Sequence, residues 1–426
     1  MEIAVLAITF TVLVVLGMPI AFAIGVSSLA VILLTGESLM LVPQYMFSGV
    51  NSFLLVAIPM FVLAGNIMLH AGLTRRLTDF ADLFVGRLHG GLGHTNVAGS
   101  AFFAGITGSA TADTTAIGSV MVPAMAEKGY GRAYATAITV ASSVVGPIIP
   151  PSLTFIIYAL AVGDVSIGAL FIAGLVPGVL VCIALMIMNH VISRRRGYPR
   201  REEKYTKKEV FSITQKSLIV LVMPVGIAYG VITGAYTATE AAAVAAAYAL
   251  LVSLVLRRLD LRSLPGIFFG AARTSSIMFL LLATSSLLSY ILSTQGVPLK
   301  ISGFLHELTE NPLVFLLILN ITLLLIGLVL DLFPAILIFG PIFAPIAAQY
   351  GVDPLHFGVV FCVNLILGLN TPPVGSGLFV GASIGKVKIE ELIREIIPFF
   401  FMQLVVLALI TYIPAFTTAL PRYFGL

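Results

Sequence analysis

Val145-Gly146-Pro147-Ile148-Ile149-Pro150-Pro151-Ser152 breaks a long apolar run, and 222 residues further on Leu367-Gly368-Leu369-Asn370-Thr371-Pro372-Pro373-Val374 breaks another. Each proline removes a backbone donor and disrupts the bond to the carbonyl four residues back. Adjacent prolines inside an apolar segment therefore leave carbonyls unpaired, which is tolerated only where the backbone is buried in protein or lines a wet cavity. The shift of 222 extends well beyond the two doublets. It pairs Pro43 with Pro265, Gly105 with Gly327, Gly118 with Gly340, Pro123 with Pro345, Gly129 with Gly351 and Gly163 with Gly385. One shift holding from residue 43 to residue 163 marks an internal repeat.

Composition places that repeat in a membrane. Of 426 residues, 59% are hydrophobic and 10% charged, with a mean hydropathy of +1.09, whereas about a quarter of a soluble domain is charged. Aqueous enzymes, nucleic-acid binders and disulfide scaffolds are poor candidates, since Cys182 and Cys362 both sit in apolar runs. The apolar start at Ile3, with no basic region before it, reads as a retained first segment. A spanning helix needs about 20 apolar residues. Candidate spans are 53–69, 133–160, 169–192, 217–234, 240–256, 275–292, 355–379 and 398–413. The first 35 residues form one kinked span or two short ones broken at Gly17-Met18-Pro19. Segments 95–126 and 312–348, rich in Gly, Ser, Thr or Pro, read as re-entrant hairpins.

Residues 194–208 hold eight basic and two acidic side chains, a local +6 against +4 for the whole chain. The excess of Lys and Arg makes this stretch cytoplasmic. If both hairpins are re-entrant, only Lys300 and Arg422 of the 23 Lys and Arg fall outside. An odd number of crossings then separates corresponding positions, so the repeats are inverted. The expected fold is an all-α polytopic membrane protein of two inverted repeats, each with a re-entrant helical hairpin and a broken transmembrane helix. Residues 1–193 form the first repeat, with its hairpin at about 95–126. Residues 194–209 are a cytoplasmic linker, and 210–426 the second repeat, with its hairpin at about 312–348. Inverted repeats recur in secondary transporters, whose sites lie where helices are interrupted.

At those interruptions, freed carbonyls and the hydroxyls of Ser109, Thr111, Ser152 and Thr371 are hard oxygen ligands that suit a small alkali cation. Helix N-termini at the same places offer positive dipole ends to an anion. Asp113 and Asp331 lie inside the hairpins; an intramembrane acid is a functional candidate, and helix capping is the competing reading for both. Ser142, Ser143, Ser285 and Ser286 read as bonding to their own helix carbonyls, and Asn320 and Asn364 as interhelical polar contacts. Glu240 opens an alanine-rich helix whose small face suits close contact, within this chain or with another membrane subunit. No Walker loop occurs, and Ser152 lacks a His and Asp for acyl transfer.

Gly108-Ser109-Ala110-Thr111-Ala112-Asp113, Gly146 to Ser152, Gly368 to Gly375 and Gly17-Met18-Pro19-Ile20-Ala21-Phe22 together resemble the large membrane subunit of TRAP (tripartite ATP-independent periplasmic) transporters. The resemblance covers essentially the whole chain. It implies sodium-driven import of an organic acid by an elevator motion at the bacterial inner membrane. It also implies two partners, a small four-helix membrane subunit on a separate polypeptide and a periplasmic substrate-binding protein. On this reading a first Na+ site uses Ser109, Asp113 and Gly146, and a second uses Asp331, Asn370, Thr371 and Gly375. Thr111, Ser152 and Ser376 contact the carboxylate substrate. Gly377 departs from the pattern: relatives often carry Asn there, and glycine supplies no side-chain oxygen. A stand-alone sodium–dicarboxylate symporter shares the hairpins without a binding protein, and a passive channel shares the helices without a coupling ion.

Overall fold

The computed structural model describes residues 2–425, and among them there is no strand. The first half holds α1 (Glu2–Val15), α2 (Ile20–Thr35), α3 (Leu41–Val50), α4 (Ala57–His70), α5 (Thr74–Val85), α6 (Gly91–Thr107), α7 (Ala110–Glu127), α8 (Arg132–Ser143), α9 (Leu153–Val162) and α10 (Ile167–Arg196). The second holds α11 (Lys207–Ile232), α12 (Ala238–Val255), α13 (Leu264–Thr294), α14 (Val297–Leu308), α15 (Pro312–Val329), α16 (Leu332–Gln349), α17 (Pro354–Gly368), α18 (Ser376–Gly385), α19 (Ile389–Tyr412) and α20 (Ala415–Tyr423). Eight helical segments among the described residues are long and apolar enough to cross a membrane. The protein is an all-α, multi-pass membrane protein. The first 35 residues are two helices, because Gly17 turns the chain at φ 84° and Pro19 starts α2.

A shift of 222 lays α7 on α16 end to end, and α8 and α10 start where α17 and α19 start. Contacts repeat with the same symmetry. Helix α9 packs on α16, and α18 on α7. A Cβ placed at Gly118 would lie 3.3 Å from Ile384, and one at Gly340 would lie 3.5 Å from Val162. Ile384 and Val162 are themselves 222 apart, so the two halves meet through a contact that each makes on the other.

Helices α1–α4 pack with α11–α13, while α6–α10 pack with α15–α20. Three connections join the two groups in the chain, α5, the 197–206 link from α10 to α11, and α14, of which α5 and α14 correspond under the same shift; the groups also touch where α13 meets α16 and α4 meets α6. Within the first group α12 packs chiefly on α4, and its Ala242, Ala245 and Ala249 are fully buried. Small residues let helices approach closely where lipid provides no hydrophobic drive. Ala246 is buried as well, so this alanine face serves intrachain contact and is not free for another subunit.

The basic connection after α10 is tied down. Asp82 on α5 accepts from Arg201, from Tyr205 Oη at 3.0 Å and from Thr95 Oγ1 at 3.0 Å. Burial, and then the Asp82 carboxylate, push the Tyr205 hydroxyl up to about 12. Tyr198 sits 4.4 Å from the Tyr130 ring, and Arg196 pairs with Glu395 at 2.8 Å. Thr206 and Glu209 then close a reciprocal capping box that starts α11.

Candidate functional site

The first hairpin turns at Gly108, with φ 57°, and Ser109. Ser109 is the N-cap of α7: its Oγ accepts from Ala112 N at 3.5 Å and meets Thr111 Oγ1 at 3.2 Å. A Cβ on Gly108 would sit 3.0 Å from Pro151 O and 3.1 Å from Leu153 N, so the tip presses its bare backbone on the α8–α9 break. Gly146 lies against the same tip, 3.5 Å from Ser109 O by the same measure. The structure thus brings Ser109 and Gly146 together as expected.

At that break α8 tightens before it ends. Val145 N donates to Ser142 O and Gly146 N to Ser143 O, both at 3.0 Å. The Pro150-Pro151 peptide bond is cis, as is Pro372-Pro373. Ser152 is fully buried, donates to Pro147 O at 2.5 Å and accepts from Phe155 N at 3.3 Å. Its hydroxyl closes the break and caps α9. Thr111, by contrast, is exposed at the tip.

Asp113 is completely buried one turn into α7, and neither carboxylate oxygen has a hydrogen-bond partner. The capping reading fails for it, because Ser109 does the capping. Beside Asp113 is Ser100, whose Oγ lies 3.0 Å from Ser142 Oγ. Asn96 extends this polar cluster, donating to Thr139 Oγ1 at 2.6 Å. Ser142 and Ser143 also bond to their own helix, to Thr139 O at 3.0 Å and Val140 O at 2.8 Å. Asn364 donates to Asn320 Oδ1 at 2.7 Å, an interhelical contact as read from the sequence.

In the second half Gly327 stacks on Gly368, so close that a Cβ on Gly327 would fall 2.8 Å from Gly368 Cα. Asp331 occupies the N-cap position of α16 but makes no capping bond. Its Oδ1 instead accepts from Ser376 Oγ at 2.9 Å, joining the hairpin tip to the start of α18. Asp331 is exposed and lines a cavity of about 330 Å³ with Pro19, Thr274, Met278 and Pro334. Asn370 is buried, donates Nδ2 to Val140 O at 2.7 Å and leaves Oδ1 unpartnered. Thr371 Oγ1 donates to Leu367 O at 3.2 Å, and Gly375 N to Thr371 O at 3.0 Å. A Cβ on Gly375 would come 2.8 Å from the Leu369 carbonyl carbon, and one on Gly377 would run into Asn370 Oδ1. Glycine is a steric requirement of the break at 375, where the obstacle is backbone, whereas at 377 the nearest obstacle is the Asn370 side chain.

Two features escape the sequence. Ser285 does not bond to its own helix: its hydroxyl is buried without a partner, and the residue lines a cavity of about 280 Å³ with Ser48, Ser52, Ser286 and Ser289. Gln403, in the middle of apolar α19, donates to Ala141 O at 2.7 Å. A polar residue in a span was the available signal for Gln403; nothing in the sequence distinguished Ser285 from Ser286.

Four helices, α7, α9, α16 and α18, begin at these tips and breaks, while α6, α8, α15 and α17 end there. Each tip with its facing break offers two anion-attracting N-termini and two cation-attracting C-termini. Asp113 in the first half and Asn370 in the second add buried oxygens with no hydrogen-bond partner, hard donors of the kind that suit an alkali cation. Such a centre, held inside a multi-pass helical protein, belongs to a membrane transport protein. Residues 7–416 match the family described as the tripartite ATP-independent periplasmic transporter, DctM component, and the chain belongs to it. Among curated relatives, the uncharacterized protein YgiK of Salmonella typhimurium is 42% identical over 98% of this chain and 96% of its own length. The sialic acid TRAP transporter large permease protein SiaM of Vibrio cholerae is 36% identical, covering 96% of each chain. Among solved structures, MtrF of Neisseria gonorrhoeae superposes with a TM-score of 0.57 at 14% identity, covering 88% of this chain and 83% of that one; this likeness concerns the fold alone. The family transports solutes across the inner membrane together with a small membrane subunit and a periplasmic binding protein.

Proposed function

We propose that this chain imports an organic acid, delivered by a periplasmic binding protein, by coupling its passage to sodium entering down its gradient. The observation that carries this reading is the meeting of two helix N-termini and two helix C-termini at each tip and its facing break, with Asn370 Oδ1 unpartnered at the second break and the Asp113 carboxylate unpartnered one turn into α7. The C-terminal carbonyls and Asp113 suit sodium. No Lys or Arg lies within either tip or break, so N-terminal dipoles, the hydroxyls of Thr111 and Ser376, and the cation itself hold the carboxylate. SiaM, by its name, carries an acid, which supports the same solute class here.

The division into repeats 1–193 and 210–426 with a cytoplasmic linker at 194–209 belongs to this proposal, as does their inverted orientation. Helices α6–α10 and α15–α20 form the moving body, and α1–α4 with α11–α13 form the scaffold. Chain connections confined to α5, α14 and the link from α10 to α11 suit rigid-body displacement of one group past the other. Reconstitution with the small subunit and the binding protein tests the reading: an inward sodium gradient drives accumulation of the acid. Equal accumulation with potassium in place of sodium and no proton gradient refutes it. Uptake with sodium but no binding protein identifies a stand-alone symporter, and uptake with neither identifies a channel.

A further inference from the structure

The break in α8 leaves a specific deficit. Because Val144 N and Val145 N both turn to Ser142 O, the carbonyls of Val140 and Ala141 lose their donors four residues on. Orphan carbonyls at a buried helix end need partners. Val140 O receives the Ser143 hydroxyl at 2.8 Å and Asn370 Nδ2 at 2.7 Å. Ala141 O receives Gln403 Nε2 at 2.7 Å. Both amides come from the second half of the chain. Both are fully buried, and both leave their own carbonyl oxygen unpartnered.

The clamp runs one way. Under the 222 shift the residues equivalent to Asn370 and Gln403 are Ile148 and Val181, which have no side-chain donor to return. The broken helix of the first half is thus held by the second, and the reverse does not occur through these positions. Asn370 stands at the hinge of this arrangement. A cation taking its Oδ1 fixes the amide plane and with it the N–H···O contact to Val140. That contact sets the direction of the chain entering Ser143–Gly146, where the first site lies.

We propose that Gln403 is a positioning residue for the first sodium site, and that Asn370 with Gln403 couples sodium binding at the two sites. The inference rests on the sodium reading above. Gln403 touches neither ion; it acts by holding Ala141 O. Losing the clamp leaves a buried carbonyl unpaired and frees the end of α8 to shift, so the first site is assembled only in a fraction of molecules. The apparent sodium affinity falls by that fraction.

The test is a thermal melt of the full-length protein in detergent, titrated with NaCl at constant ionic strength against choline chloride. Gln403→Met keeps the volume and removes the donor. Gln403→Asn keeps an amide that falls one methylene short, and carries the same comparison if the Met variant does not fold. The wild type is expected to gain stability steeply with sodium. The variants should need a sodium concentration about five-fold higher or more, the lower end of typical coupling, with a shallower titration. Wild-type midpoint and steepness in a folded variant overturn the proposal, as does a uniform loss of stability in choline and sodium alike, which marks a purely structural bond. A wild type that ignores sodium overturns the sodium reading itself, and the coupling with it.

Discussion

Asp113→Asn separates a carboxylate that serves a cation from one that serves the fold. In the structure the side chain has no exposed surface and no hydrogen-bond partner for either oxygen. A buried polar group left unsatisfied costs about 1–3 kcal/mol, and more when it is charged. Without sodium, Asp113 is therefore a liability. The amide cannot ionise and brings an N–H that the neighbouring Ser100 hydroxyl can accept. In choline the variant should melt at or above the wild type. With sodium the order reverses. A ligand at 100 times its Kd stabilises by about 2.7 kcal/mol, and 1 kcal/mol moves the melting temperature by about 2–4 °C in a domain of 150–250 residues. The wild type should then rise by several degrees on adding sodium, and Asp113→Asn should lose the share contributed by its site. Asp331→Asn should change less, because Asp331 is exposed and its Oδ1 already accepts from Ser376. The assay is melting temperature against sodium concentration for wild type and both variants. An Asp113→Asn protein that keeps the full sodium-dependent rise refutes the reasoning. So does one that melts lower in choline, since the carboxylate would then be making a structural bond.

Ala242→Leu forces a larger side chain into the α12–α4 contact, where Ala242 has no exposed surface; overpacking of this kind costs about 1–3 kcal/mol. Melting should fall while co-purification of the small subunit is retained, and the opposite pattern would move that helix face to the subunit interface. Ser152→Ala removes the bonds to Pro147 O and Phe155 N, a capping loss of about 0.5–2 kcal/mol. It should lower the melting temperature and leave the concentration of acid for half-maximal uptake unchanged; a raised half-maximal concentration with normal melting would place Ser152 at the substrate.

Much of the fold was legible because its determinants are local. Apolar runs, the two Pro-Pro doublets and the 222 shift are properties of the chain in order, and the helices fall where those signals put them. Gly17 and Pro19 announced a break, and the structure resolved it into two helices by turning Gly17 to a positive φ. The candidate site was legible in part for the same reason: Ser109, Gly146, Asp331 and Ser376 lie at the interruptions themselves.

What the sequence determined by itself was membrane residence, the repeat, and the places where backbone groups must find partners away from their own helix. Which partners they find was decided by tertiary structure, because hydrogen-bond donors separated by hundreds of residues meet only when helices cross. The capping of Ala141 O by Gln403, 262 residues away, has no local signature. Ser152 looked like an open hydroxyl and proves to be consumed by Pro147 O and Phe155 N. Ala242 and Ala246 could have faced another subunit or this one, and in the folded chain both are buried. Side-chain chemistry is written along the chain, but burial and pairing depend on what lies opposite, and that is set only once both halves have closed on each other.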